Sequence, residues 1–299
     1  MPFNPVFAQI ILGTYDKSSP LHLFSNNKDC LLLIFDLLNC EWNLHINTKS
    51  TGLLLFPSHS RFPDPLKDQD GNLKSVYINM MPFVFNFSTI EEMSPEISRY
   101  QPMIQQCLFS HATDRGKICY LTIHESYVEP GESQRRAGLH TESPGKFHFG
   151  KGEHQHIDRF FWGRGFIEGN HLSGGIFMAS NIDDSCRVWN AQIQEVDSKS
   201  IIGEHGDIEH LRNLLGPNYT SVPANSIIWI TDMTPHESVP LKQRTFRQYF
   251  RLVTSEISGW YEEHSTPNPN GVKPNAPIIK GNKFGNMKYI PGTSKCGIS

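Results

Sequence analysis

The chain has 299 residues, a formal net charge of −3 and a pI near 6.5, which leaves no electrostatic case for nucleic acid or an anionic membrane as partner. Its 23 Gly, 20 Pro and 19 Phe suit a strand- and loop-rich fold with an aromatic core better than a helical bundle. The six cysteines form no Cys-x-x-Cys pair, against a disulfide scaffold or zinc ribbon, and with no signal-type start and no apolar run of membrane-spanning length the expectation is a soluble, cytoplasmic protein.

In chain order, "DCLLLIFDLL" is an apolar run compatible with a strand or a short helix, and "SVYINMMPFVFNF" reads as strand. "SPEISRYQPMIQQCL" reads as helix, with Ser94 as N-cap, Pro95 at the first helical position and Pro102 splitting or kinking it. From about residue 117 the pattern changes to short strand candidates separated by Gly, Pro, Asn and Asp. These are "KICYLTIHESYVEPG", "SQRRAGLHTE", "FFWGRGFIEGN", "SGGIFMASN", "SCRVWNAQIQEV", "NSIIWITD" and "RTFRQYFRLVTS". Such spacing suggests a barrel or sandwich. One helix interrupts at "GDIEHLRNLLG", with Asp207 as N-cap and Gly216 as stop. Residues 263–299, rich in Pro, Gly and Asn, read as an extended tail. Residues 1–116 form an α/β extension and 117–262 the β core.

If "SQRRAGLHTE" is a strand, His140 and Glu142 face the same way, with Arg136 and Gln134 along that face. A buried carboxylate there requires a partner, either a divalent metal or Arg136. Downstream, an apolar strand containing Trp229 ends at Asp232, and His236 follows. The next strand carries Arg247, Tyr249 and Arg251 on one face and Phe246, Phe250 and Leu252 on the other.

His-x-carboxylate on an early strand, a distal His, and an Arg about ten to fifteen residues later resemble the Fe(II)/2-oxoglutarate-dependent oxygenases, over roughly residues 117 to 255. The resemblance implies a mainly β chain with α additions, folded as a double-stranded β-helix, the jelly-roll or cupin-like barrel. It implies His140, Glu142 and His236 as a two-histidine, one-carboxylate iron site. Dioxygen and 2-oxoglutarate would share the open positions, with Arg247 or Arg251 holding the distal carboxylate of 2-oxoglutarate and Tyr249 assisting. Arg136 or Gln134 would contact co-substrate or a polar substrate, and Asp232 would either orient His236 or merely end its strand. The family usually has Asp where this chain has Glu142. Its halogenating members lack the carboxylate, so Glu142 favours hydroxylation or a related oxidation of a small-molecule or peptide substrate.

Two alternatives stand beside this one: a cupin-type metalloenzyme that does not use 2-oxoglutarate, and a non-catalytic binding barrel. His154 and His156 form a His-x-His pair without the glutamate that cupins place after it, and read as loop or lid. Trp229, Phe177 and Met178 read first as core and second as a substrate-lining wall. Cys107 near His111 reads as core.

Overall fold

The computed structural model describes residues 46–47, 52–56, 61–86, 93–110, 114–144, 146–149, 156–168, 171–194, 201–254, 256–281, 283, 287–290 and 295–298. The run at 29–38, His111 and His154 lie outside them. The described chain is mainly β with few helices. No helix in it is long and apolar enough to cross a membrane.

Nine strands build the body: β1 (Leu53–Phe56), β2 (Val76–Val84), β3 (Ile118–Val128), β4 (Ile176–Ser180), β5 (Cys186–Val188), β6 (Thr220–Ser221), β7 (Ile227–Ile230), β8 (His236–Ser238) and β9 (Thr245–Val253). Six of them form one antiparallel sheet in the order β1-β7-β4-β9-β3-β2, and three form a second in the order β6-β5-β8. Helices α1 (Pro95–Ser98) and α2 (Gln101–Ser110) are separated just before Pro102, where a helix interior would lose a hydrogen bond.

Strand β9 explains why the sheet has two unlike faces. It pairs with β3 along its whole length, Thr245 opposite Val128 through Val253 opposite Tyr120. Side chains alternate, so Phe250 and Leu252 join Ile123, Phe177, Trp229 and the α2 residues Met103, Ile104 and Leu108 in the back core. Burying each of these large side chains is worth about 1.5–3 kcal/mol. The front face carries Arg247, Tyr249 and Arg251, all buried, and looks towards the smaller sheet. Contact between the sheets is direct: Val188 and Val222 pack in the same cluster as Met178, Ile228 and Tyr249.

In β2 the pairing with β3 shifts register between Ile78 and Met81, and Met80 takes a φ of 48°. This bulge sends Met80 to the front cluster while Ile78 and Met81 stay in the back core. The C-terminal segment fastens to it. Thr266 N–H donates to the Asn79 carbonyl at 2.7 Å, and the Trp260 indole donates to the Met80 carbonyl at 2.8 Å.

The expected strand at "SQRRAGLHTE" is not formed. Residues 132–139 are bends and loop, and Gly138 has a φ of 80°, which breaks the extended alternation. The segment is held instead by a satellite core of Leu139, Trp189, Ile193, Ile202, Ile208, Leu211 and Met233. Backbone bonds reinforce it, Ile208 N–H to Leu139 O at 3.1 Å and Thr141 N–H to Gly206 O at 2.9 Å. The expected helix after Asp207 is a 3₁₀ turn, Glu209–Leu211, followed by a single α turn, Arg212–Leu215. Asp207 accepts from the Glu209 N–H at 2.9 Å.

Gly206 has a φ of 91°, and a Cβ there would press into the Thr141 carbonyl. Gly206→Ala is therefore expected to destabilise the protein by about 1–3 kcal/mol, through strain and displacement of the His140 segment. Urea unfolding measures this, and unchanged stability would contradict the packing described.

Candidate functional site

His140, Glu142 and His236 reach one cavity from separate parts of the chain. His140 and His236 exchange backbone hydrogen bonds, each N–H donating to the other's carbonyl at 3.0 Å, and their ring centroids stand 4.4 Å apart. His140 Nδ1 lies 2.7 Å from the Gly138 carbonyl and His236 Nδ1 lies 2.9 Å from the Thr234 carbonyl. A carbonyl only accepts, so each ring carries a proton on Nδ1 and keeps Nε2 for another role. Orientation of an imidazole by a carbonyl at the far nitrogen is how ligating histidines are commonly fixed.

Glu142 Oε1 is 3.7 Å from His236 Nε2 and 2.9 Å from Arg251 Nη1. Burial alone would push the Glu142 carboxyl up, but the Arg251 guanidinium beside it outweighs that and holds it well below the usual carboxylate range. Burial, then His236 and Arg136, keep the His140 imidazole well below the ordinary histidine value, hence neutral. Among the described residues no three His, Cys, Asp or Glu side chains are gathered closely enough to hold a metal as they stand. The carboxylate leans on Arg251 instead.

Arg247 differs from Arg251. It is 1% exposed, and it donates to hydroxyls: Nε to Ser180 at 3.2 Å and Nη1 to Ser238 at 3.2 Å. Among the described residues no carboxylate pairs with it. Tyr249, between the two arginines on β9, also lines the cavity. Its ring lies under the guanidinium of Arg135 at 4.9 Å and that of Arg247 at 5.8 Å.

The other expected site residues are distributed unequally. Arg136 lines the cavity and donates to the His205 carbonyl. Gln134 is not among the lining residues. Its amide donates to Ser126 at 3.1 Å and to the Arg247 carbonyl at 2.9 Å, tying the loop to β3 and β9. Asp232 is buried and accepts from the Trp162 N–H at 3.4 Å, while the Nδ1 of His236 is met by a backbone carbonyl. Trp229 is fully buried in the back core and donates to the Gly174 carbonyl at 2.9 Å. Cys107 is likewise core.

Among the lining residues that escaped the sequence reading are Arg135, His264 and Lys283. Arg135 sits beside the arginine that strand alternation selected. His264 and Lys283 belong to the C-terminal segment, whose composition gave no sign of a site.

No family model matches the chain, and no curated protein sequence matches it. Solved structures are similar to it at long range. HygX from Streptomyces hygroscopicus with iron bound shares 10% identity, with a TM-score of 0.41 over 79% of this chain and 95% of that one. HygX with nickel and 2-oxoglutarate bound shares 8%, with a TM-score of 0.41 over 77% and 92%. AviO1 from Streptomyces viridochromogenes shares 10%, with a TM-score of 0.30 over 77% and 98%. Likenesses this distant carry no weight for the chemistry of the site.

Two outcomes follow from the site's electrostatics. Removing the carboxylate in Glu142→Ala leaves Arg251 buried without its ion-pair partner, and should cost about 3–5 kcal/mol in metal-free protein. A loss below about 1 kcal/mol in urea unfolding would contradict the pairing. His124, opposite Tyr249 on β3, is brought down to about 4 by burial, then by Arg135 and Arg247. His264 is also brought down to about 4, by burial and then by Lys283, Arg135 and Arg251. Both take up a proton more readily unfolded, near 6.5, than folded. Stability should be full above about pH 6.5 and fall as pH drops towards 4. His124→Gln should flatten part of that slope. In NMR the His124 titration should move up in Arg247→Gln, and an unmoved titration would contradict the assigned field.

Proposed function

We propose that the chain is a non-haem Fe(II)- and 2-oxoglutarate-dependent oxygenase on a double-stranded β-helix, oxidising a C–H bond of its substrate. In this reading His140, Glu142 and His236 hold the metal, and Arg247 receives the distal carboxylate of 2-oxoglutarate. The observation that carries it is Arg247. A guanidinium 1% exposed and met, among the described residues, by neutral hydroxyls and the Tyr249 ring is costly to bury, and a bidentate carboxylate offsets that cost. It faces the same cavity as the two imidazoles and the carboxylate.

The donor set suits the metal. Two imidazoles oriented with Nε2 available and one ionised carboxylate match an octahedral Fe(II) that keeps open positions. Iron with 2-oxoglutarate and dioxygen supplies an oxidation strong enough to break a C–H bond, coupled to conversion of 2-oxoglutarate to succinate. The chain's own residues do the rest. The Gly138 and Thr234 carbonyls fix the two rings. Arg251 keeps Glu142 ionised, the form a metal requires. Arg247, with Ser180 and Ser238, aligns the co-substrate, and Tyr249 walls its far end. Met80, Trp162 and Met178 line the cavity with apolar surface and limit water.

One observation favours a second reading. The Glu142–Arg251 contact at 2.9 Å satisfies the carboxylate without a metal, as it would in a non-catalytic binding barrel. A metalloenzyme that does not use 2-oxoglutarate differs in leaving Arg247 without a co-substrate.

Reconstitution with Fe(II) under anaerobic conditions separates these readings. The oxygenase should take up one equivalent of iron and develop a visible metal-to-ligand charge-transfer band on adding 2-oxoglutarate. Arg247→Gln should weaken 2-oxoglutarate by at least about 30-fold, about 2 kcal/mol, with iron content unchanged. His140→Ala should lose the iron. Iron near zero in both wild type and His140→Ala would favour the binding barrel. One equivalent of iron with no band would favour the other metalloenzyme.

A further inference from the structure

The cavity carries more positive charge than the proposed chemistry uses. Arg135, Arg136, Arg247, Arg251 and Lys283 line it, and Glu142 is the one carboxylate among its described lining residues. Glu142 is engaged by Arg251. A divalent metal and the doubly anionic 2-oxoglutarate cancel each other, so binding both leaves the surplus in place. Once Arg247 holds the co-substrate, Arg135, Arg136 and Lys283 still face the same space.

Two of these cations, Arg135 and Lys283, face aromatic rings. Arg135 lies 4.9 Å over the Tyr249 ring, and Lys283 Nζ lies 4.6 Å over the Trp162 ring. Cation–π contact orients a cation and stabilises it partly, but leaves its charge. Arg136 donates to the His205 carbonyl. Crowding of like charge shows in the ammonium of Lys283. Burial, then Arg251, Arg136 and Arg135, bring it down to about 8 against the pull of Glu142. The cations come from two sides, the arginines from the loop before His140 and the lysine from the C-terminal segment. The net charge of the whole chain is −3, so the surplus is local to the cavity and suits a small anion better than a polyanion.

We propose that the substrate of this site carries an anionic group of its own, a carboxylate or a phosphate, clamped between Arg135 and Lys283 with Arg136 adding to the field. The inference rests on the oxygenase reading only in giving Arg247 to the co-substrate, and it commits to an anion bound together with 2-oxoglutarate. A guanidinium fork and an ammonium point charge complement each other on such a group.

The test uses full-length protein loaded with Mn(II) and saturating 2-oxoglutarate. It is titrated with sulfate as a non-precipitating stand-in for phosphate, against chloride at equal ionic strength, and followed by calorimetry and thermal unfolding. Sulfate should bind as an additional ligand and raise the unfolding temperature beyond chloride. Arg135→Gln and Lys283→Gln should each weaken sulfate at least tenfold while changing 2-oxoglutarate affinity less than threefold. Arg135→Lys should restore most of the loss and serves as the folded companion should Arg135→Gln not fold. No sulfate effect beyond chloride, one-for-one displacement of 2-oxoglutarate, or variants that bind sulfate like wild type would overturn the proposal. Should wild type take up neither metal nor 2-oxoglutarate, the oxygenase reading fails. Sulfate binding that depends on Arg135 and Lys283 would then still uphold the anion site, and its absence would overturn both.

Discussion

A strand that buries two guanidinium groups on one face must meet them with anions or accept a penalty of several kcal/mol for each. That constraint organises this protein. β9 has Phe250 and Leu252 locked into the back core, so its register is fixed, and Arg247 and Arg251 are held buried on the opposite face. Arg251 is met by Glu142, delivered by a loop rather than by a neighbouring strand. Among the described residues Arg247 is met by hydroxyls from β4 and β8 and by the Tyr249 ring. The two arginines, four residues apart, are unlike: one neutralises a carboxylate beside the histidines, and the other has no carboxylate partner among the described residues.

The hydrogen bonds that join and orient the two histidines are to backbone groups. The paired His140 and His236 N–H···O=C bonds bring the rings together, and carbonyls two residues before each histidine set its tautomer. The satellite core around Leu139, Trp189 and Ile208 holds this arrangement from behind. Geometry fixed by backbone tolerates changes at surrounding side chains better than a network of side-chain hydrogen bonds does, since each backbone group is present whatever the residue. The polar link from the bulge runs the other way. Thr122 reaches towards Asn79 at 3.4 Å and Arg251 reaches Thr122 at 3.4 Å. The C-terminal segment bound at Asn79 is thereby connected to the same arginine that holds Glu142.

What the sequence disclosed follows from this division. The two faces of β9 were legible because a period-2 pattern with aromatics on one side and arginines on the other admits one strand orientation. The strands from 118 to 128 and from 227 to 230 were legible as apolar, β-branched and aromatic runs bounded by turn residues. The grouping of His140 with Glu142 was anticipated by a strand that does not exist. Gly138 breaks that strand, and the two side chains reach one cavity through loop geometry. Alternation along it singled out Gln134 and Arg136. Only Arg136 lines the cavity, joined by Arg135, which alternation would have turned away. The expectation that Asp232 orients His236 had to compete with the Thr234 carbonyl, which no residue-level pattern reveals. Lys283 was invisible because its place depends on how a Pro-, Gly- and Asn-rich segment crosses the bulge in β2, a tertiary fact without a local signature.

The central claim is that the buried Arg247 receives a carboxylate next to a metal held by His140, Glu142 and His236. Equilibrium dialysis of radiolabelled 2-oxoglutarate against the protein, with and without Fe(II) under anaerobic conditions, tests it most directly. The account predicts one molecule bound per chain when iron is present and much weaker binding when it is absent. Failure to retain 2-oxoglutarate at millimolar concentration by protein carrying a full equivalent of iron would contradict it.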